Sequence, residues 1–194
     1  MTPETFNSPS ALYQHDLEKD ERQVAEWYNT LSDSYDELYG EEQSRKYETV
    51  LEFLGNRHFR VLVDIGCGTG TFLEKAGETY DYAIGLDLSI KMLQIARRRK
   101  TRNTDYVLAS SSSLPLKDDS ADCAVSISTA RAESNLLMFI AALERISHQD
   151  SSLAVTFFQK PGTPIPLSPA RGVRSTIISD RETLYFLRLS ETPK

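Results

Sequence analysis

Three glycines at every second position, Gly66, Gly68 and Gly70, close the apolar, β-branched run "RVLVDIG" (60–66). This junction constrains the chain more than any other stretch. A strand that ends in residues without side chains must turn sharply, admit something close to its backbone, or do both. The segment that follows, "TFLEKAGE", reads as a helix, and "YAIGLDLS" (82–89) as a second strand. A strand, a glycine turn, a helix and a further strand form a βαβ unit.

The alternation continues. "IKMLQIARRR" is predicted as a helix, "TDYVLAS" (104–110) as a third strand and "ADCAVSIS" (121–128) as a fourth. "SNLLMFIAALERIS" (134–147) is a helix and "SSLAVTFFQK" (151–160) a fifth strand. Short apolar strands between amphipathic helices predict an α/β fold, a doubly wound parallel sheet with helices on both faces. Prolines 161, 164, 166 and 169 bar a helix from "PGTPIPLSP". "VRSTIIS" and "TLYFLRLS", joined by "DRE", predict a C-terminal antiparallel β-hairpin.

Ahead of the sheet, residues 1–15 lack a period and read as a loose tail. Residues 16–194 form a single domain, with N-terminal helices over 16–55 and the α/β core over 60–194. Val24, Trp27, Tyr28, Leu31, Tyr35 and Leu38 share one helical stripe. Gly40 is the expected stop, and a second helix runs to Gly55.

In a doubly wound sheet, ligands sit beyond the carboxyl ends of the strands, where strand order reverses. Asp87 ends the second strand and can accept two hydrogen bonds from a ribose diol. The implied ligand therefore contains a ribose. It does not match a nicotinamide dinucleotide, whose G-x-G-x-x-G fingerprint needs glycine where this chain has Thr71. A P-loop is excluded because no Gly-Lys-Ser/Thr follows.

The formal net charge of −6 and an acidic lead argue against a strongly basic nucleic-acid binder. No apolar run approaches the ~20 residues of a membrane span. The start carries no basic, apolar leader, so the expected compartment is the cytosol. Cys67 and Cys123 fall at opposite ends of neighbouring strands, too far apart for a disulfide. They have no partners at metal-ligand spacing, and no metal is expected.

"VDIGCGTG", then "GLDLSIKML", then "LPLKDDSAD" together resemble the class I S-adenosylmethionine-dependent methyltransferases, in the branch near the ubiquinone-biosynthesis and small-molecule enzymes. The resemblance covers about residues 24–160. It implies a Rossmann-like methyltransferase fold, a mostly parallel seven-stranded sheet with one antiparallel strand near its edge. It also implies S-adenosyl-L-methionine as cofactor. Gly66, Cys67, Gly68 and Gly70 would line its methionine part. Asp64 would steady that loop and meet the ammonium group through water. Asp87 would hold the ribose hydroxyls, with Leu88 against the adenine. Met92 would close an adenine face, fill the helix core, or both. After the third strand the family has a Gly-Asp-Ala-like turn whose Asp accepts from the adenine amino group. This chain has Ala109, Ser110 and Ser111 there, followed by Ser112 and Ser113, which also read as a solvated loop.

Acceptor-binding residues in this family follow the fourth strand, here "SISTARAESN". It lacks Asn-Pro-Pro-Tyr, the mark of enzymes that methylate base amines or a glutamine amide. Arg131 and Glu133 fall at the right sheet edge, as they would at a surface helix start. Tyr28 and Tyr35 either wall the acceptor pocket at the methionine end or pack as core aromatics. His15, His58 and His148 have no motif around them, so no catalytic residue is assigned. "RRRKTR" (97–102) reads as cations at a helix end, too short for an RNA platform, and nucleic acid is only weakly supported as a partner.

Relatives often insert capping helices before the hairpin, where this chain has only prolines. Three functions stay open: a self-sufficient small-molecule methyltransferase, a catalytic subunit for tRNA or a translation protein activated by a zinc-ribbon partner, and a non-catalytic cofactor-binding module. "TDYVLAS" carries no proline and only one charge, Asp105. As an edge strand it invites an activator protein or a dimer through residues 104–110. Otherwise the N-terminal tail or "RRRKTR" shields it.

Overall fold

The computed structural model describes residues 21–99, 101–131, 136–158, 174–179 and 182–188. The expected tail over 1–15, the proline-rich 161–169, Glu133 and the first two residues of the hairpin connection, 180–181, lie outside the described residues. Helices α1 (Glu21–Leu31) and α2 (Tyr35–Leu54) flank a short 3-10 turn, Ser32–Ser34. Then come β1 (Phe59–Ile65), α3 (Thr71–Lys75), β2 (Tyr80–Asp87), α4 (Ile90–Ala96) and β3 (Thr104–Leu108). β4 (Ala121–Arg131), α5 (Leu136–Ile146), β5 (Ser147–Phe158), β6 (Arg174–Ser179) and β7 (Glu182–Arg188) complete the order.

The strands form one seven-stranded sheet in the order β3-β2-β1-β4-β5-β7-β6. β1 to β5 run parallel, and β7 lies antiparallel between β5 and β6. The expected terminal hairpin is therefore present, and it supplies the single reversed strand. Side chains alternate between two cores, as a pleat requires. Leu62, Cys123, Val125, Ala154, Leu184 and Phe186 face one core, with Val50, Leu54, Phe72, Leu73 and Leu93 from the helices. Val63, Ile65, Ala124, Leu153, Val155 and Phe157 face the other, with Phe139, Ile140, Leu143 and Ile146 of α5. Each such large side chain removed from water contributes about 1.5–3 kcal/mol.

The helical lead corrects the sequence reading. Its break is at Ser32–Ser34, not at Gly40, which lies inside α2. Ser32 Oγ donates to Asn29 O (3.0 Å) and Ser34 Oγ to Leu31 O (3.3 Å). Short hydroxyl side chains compete with the backbone in this way. The break shifts the helical phase, so Leu38 leaves the expected apolar stripe and is 58% exposed. The buried residues of α2 are instead Gln43, Lys46, Val50 and Leu54. α4 also ends at Ala96, earlier than expected. Both cysteines are free and buried. No described helix is long and apolar enough to cross a membrane.

Candidate cofactor site

The order of the strands reverses between β1 and β4, so the loop after β1 opens at a switch point. The N–H groups of Gly66 and Cys67 both donate to Leu86 O, at 2.7 and 2.9 Å, and join this loop to the end of β2. Gly66, Gly68 and Gly70 all take positive φ, at 76°, 53° and 78°. Their surroundings separate their roles. A Cβ on Gly66 would lie 2.0 Å from Thr129 Oγ1. A Cβ on Gly70 would lie 2.9 Å from the Tyr106 hydroxyl and 3.0 Å from Ala96 Cβ. A Cβ on Gly68 would meet nothing within 4 Å. Two of the glycines thus admit protein, and Gly68 alone faces open space.

Asp87 stands beside that space. Its Oδ2 accepts from Gly68 N (2.9 Å) and its Oδ1 from Ser89 N (2.8 Å). Each carboxylate oxygen has a further lone pair for a ligand hydroxyl. Burial pushes its carboxyl above the usual range, and those backbone donors pull it back. Asp64 is 2% exposed, and its Oδ2 has no hydrogen-bond partner. Burial, then the neighbouring Asp87 charge, raise its carboxyl to about 8. Burial likewise raises the Cys67 thiol, so that residue is a packed side chain and not a nucleophile. An orphaned buried carboxyl, an open glycine and a diol-competent carboxylate fit a ligand carrying a cation and a ribose, as S-adenosylmethionine does.

The other expected site residues divide. Met92 is 1% exposed within the core, and its N–H is capped by Ser89 Oγ at 3.1 Å. Leu88 is half-buried beside Asp87. Tyr28 and Tyr35 are half-buried and lie outside both core clusters, with ring centroids 6.3 Å apart, and Tyr39 continues the row 5.2 Å from Tyr35. In the serine turn, Ser110 Oγ donates to Glu21 Oε1 (2.5 Å) and Ser112 Oγ donates to the same oxygen (2.8 Å). Ser112 is therefore engaged and not merely solvated. Ser111 is half-buried in the same turn.

Other contacts had no local sequence signal. The N-terminal helices bond to the segment after each of β1, β2 and β3, and to β4 itself. Asp36 Oδ1 accepts from Thr69 Oγ1 (2.6 Å), and Asn29 Oδ1 accepts from Ser89 Oγ (2.7 Å) and Lys91 N (3.1 Å). Arg99, in the basic run, donates to Thr69 O (2.6 Å) and pairs with Asp36 and Glu74. It braces the glycine loop, a more specific role than opposing a helix dipole. Lys46, 1% exposed, pairs with Glu182 (2.6 Å) and Glu42 (2.8 Å) and donates to Ser128 Oγ (2.9 Å). Ser128 has φ 59° at a bulge in the β4–β5 pairing, and this bend sets Thr129 against Gly66. Among the described residues, no group of three or more His, Cys, Asp or Glu could hold a metal ion.

β3 is an edge of the sheet, with Leu108 54% exposed. Arg97 Nη2 donates to the Tyr106 carbonyl there (3.1 Å), so the basic run covers one point of that edge.

Comparison with known proteins agrees with this fold. A family profile described as a methyltransferase domain matches residues 63–155. An uncharacterized protein of Methanocaldococcus jannaschii is 31% identical over 151 residues, 78% of this chain and 57% of its own length. The demethylmenaquinone methyltransferase of Tropheryma whipplei is 27% identical over 154 residues, 72% of this chain and 60% of its own. The chain thus spans less than two thirds of either relative. The magnesium protoporphyrin IX methyltransferase of Synechocystis, solved with S-adenosylhomocysteine, superposes with TM-score 0.65 over 89% of this chain and 100% of that one, at 16% identity. A complex of a Haloferax volcanii methyltransferase activator with a putative methyltransferase gives TM-score 0.61, covering 84% and 99%, at 14% identity. At such identities these structures speak to the fold.

Proposed function

Because the chain belongs to the class I S-adenosylmethionine-dependent methyltransferase family, we propose that it binds S-adenosylmethionine and transfers its methyl group to a small-molecule acceptor. One observation carries the reading: the open face of Gly68, with the Asp87 carboxylate beneath its N–H. The bound cofactor supplies an electrophilic methyl on a sulfonium. This chain's residues bind and orient. Asp87 takes the ribose diol. The Asp64 carboxyl, buried and unpaired at Oδ2, faces the ammonium group. The acceptor enters beside Thr129 and the tyrosine row of Tyr28, Tyr35 and Tyr39. For an acceptor that is already nucleophilic, holding it in line supplies much of the rate. The comparison enzyme named for demethylmenaquinone favours a small acceptor over a macromolecular one.

A second reading has its own support. The exposed edge strand β3 and the likeness to an activator-bound methyltransferase favour a catalytic subunit completed by a partner strand. Calorimetry with S-adenosylhomocysteine tests the first part, and tritiated methyl transfer into fractionated small molecules, RNA and protein tests the acceptor. Absence of S-adenosylhomocysteine binding by the folded chain defeats both readings. Val107→Lys tests the second: it should abolish any co-purifying complex and leave cofactor affinity unchanged. A wild-type chain that is soluble, monomeric and active alone refutes it.

A further inference from the structure

We propose that Glu21, on the first helix, is the residue that reads the adenine amino group, in place of an acid on the turn after β3. The inference rests on the proposed cofactor. With the ribose on Asp87 and the methionyl arm across the Gly66–Gly70 turn toward β4, the base leaves the other side of the ribose. The next strand on that side is β3. The turn that follows it presents only hydroxyls, at Ser110, Ser111, Ser112 and Ser113.

A serine hydroxyl is a neutral acceptor and a weak discriminator. Glu21 brings a carboxyl group to this place from 89 residues away in sequence. Its Oε1 takes both the Ser110 and the Ser112 hydroxyls, which fixes the side chain. The two serines are themselves joined, Oγ to Oγ, at 2.7 Å, and Ser112 N donates to Ser110 Oγ at 3.1 Å. Both hydroxyl protons are thereby directed at Glu21 or at each other, so what the turn itself still offers an amino group is neutral hydroxyl oxygen, a weaker acceptor than a carboxylate. Glu21 Oε2 has no hydrogen-bond partner among the described residues and is the acceptor that remains. An exocyclic amino group donates to it. A carbonyl at the same position of the purine meets a carboxylate and is repelled.

The test compares S-adenosylhomocysteine with S-inosylhomocysteine, which carries a carbonyl where adenine has its amino group. Calorimetry on the full chain gives both affinities for wild type, Glu21→Gln and Glu21→Ala. A hydrogen bond to a charged group supports a preference on the order of tenfold or more. Wild type should therefore favour the adenosyl ligand by about tenfold or more. Glu21→Ala should weaken the adenosyl ligand and relieve the repulsion of the inosyl one, bringing the ratio near one. Glu21→Gln, whose amide can donate to the carbonyl, should narrow the ratio and gain affinity for the inosyl ligand. An unchanged ratio in Glu21→Ala overturns this assignment and leaves the proposed function standing. Tighter adenosyl binding in Glu21→Ala also overturns it, since Glu21 then obstructs the base. Wild type that binds neither ligand overturns the assignment and the proposed function together.

Discussion

Thr129 stands against Gly66 so closely that a Cβ at the glycine would lie 2.0 Å from its Oγ1, whereas a Cβ at Gly68 would meet nothing within 4 Å. Substitutions at two members of one motif should therefore fail differently. Gly66→Ala should lower the melting temperature by several degrees, because it adds a clash with the Thr129 side chain to a φ of 76°. Thr129→Gly should recover part of that loss. Gly68→Val should remain folded to a larger extent and abolish binding of S-adenosylhomocysteine. Calorimetry and thermal melting on the same samples separate the two. Equal melting temperatures for Gly66→Ala and Gly68→Val would refute the division of labour.

Asp87 holds the Gly68 and Ser89 N–H groups and also faces the ligand space. Asp87→Ala should weaken S-adenosylhomocysteine binding about tenfold or more. It should also cost about 1–3 kcal/mol of stability, since two backbone donors lose their acceptor. Asp87→Asn keeps an acceptor for only one of the two N–H groups, so it should spare part of the stability while still losing affinity. Unchanged affinity in a folded Asp87→Ala protein would exclude the carboxylate from the site.

Asp64 gives the site a pH signature. Its carboxyl is raised to about 8 in the fold, against about 3.9 in an unfolded chain. The folded state thus holds the extra proton between these values. Stability from this group is fully present below the unfolded pKa and falls as pH rises, by up to about 1.4 kcal/mol per pH unit, until the folded value is passed. Asp64→Asn should flatten that slope. Ligand binding at pH 7 should release a proton, because an ammonium group beside Asp64 favours its ionised form. Calorimetry in buffers of different ionisation enthalpy reads this release, which should vanish in Asp64→Asn.

Lys46 and Glu182 are each 1% exposed and paired at 2.6 Å. Removing one partner of a buried pair leaves an uncompensated charge and costs about 3–5 kcal/mol. Lys46→Met should therefore destabilise strongly. Lys46→Met combined with Glu182→Leu should be more stable than either single variant. A double-mutant cycle by chemical denaturation measures the coupling. Additive losses would mean that Glu42 and Ser128 carry the lysine without Glu182.

The sheet was legible in the sequence because each strand is a β-branched run bounded by turn residues, and pleating sorts such runs automatically. Asp87 and the glycine turn were legible for the same local reason. Gly40 misled because a glycine permits a helix end without requiring one, while Ser32 and Ser34 compete actively for backbone carbonyls. The roles of Glu21, Asn29, Arg99 and Lys46 were not legible. Each acts on a partner 30 to 91 residues away, and nothing in a local window distinguishes it from a solvated polar residue on the surface.

The helical lead is attached at Asp36–Thr69, Asn29–Ser89, Glu21–Ser110 and Lys46–Ser128. Four parallel strands therefore share one brace, and the walls of the crevice are not independent parts. Loosening at any one attachment raises the freedom of the other three, so the crevice gains or loses its shape as a unit. Amide hydrogen exchange would register this as a common opening rate for residues 21–54 and the four attached segments, slowed together when ligand is added. The gatekeeper of this crevice would then be the layer above it and not any single loop.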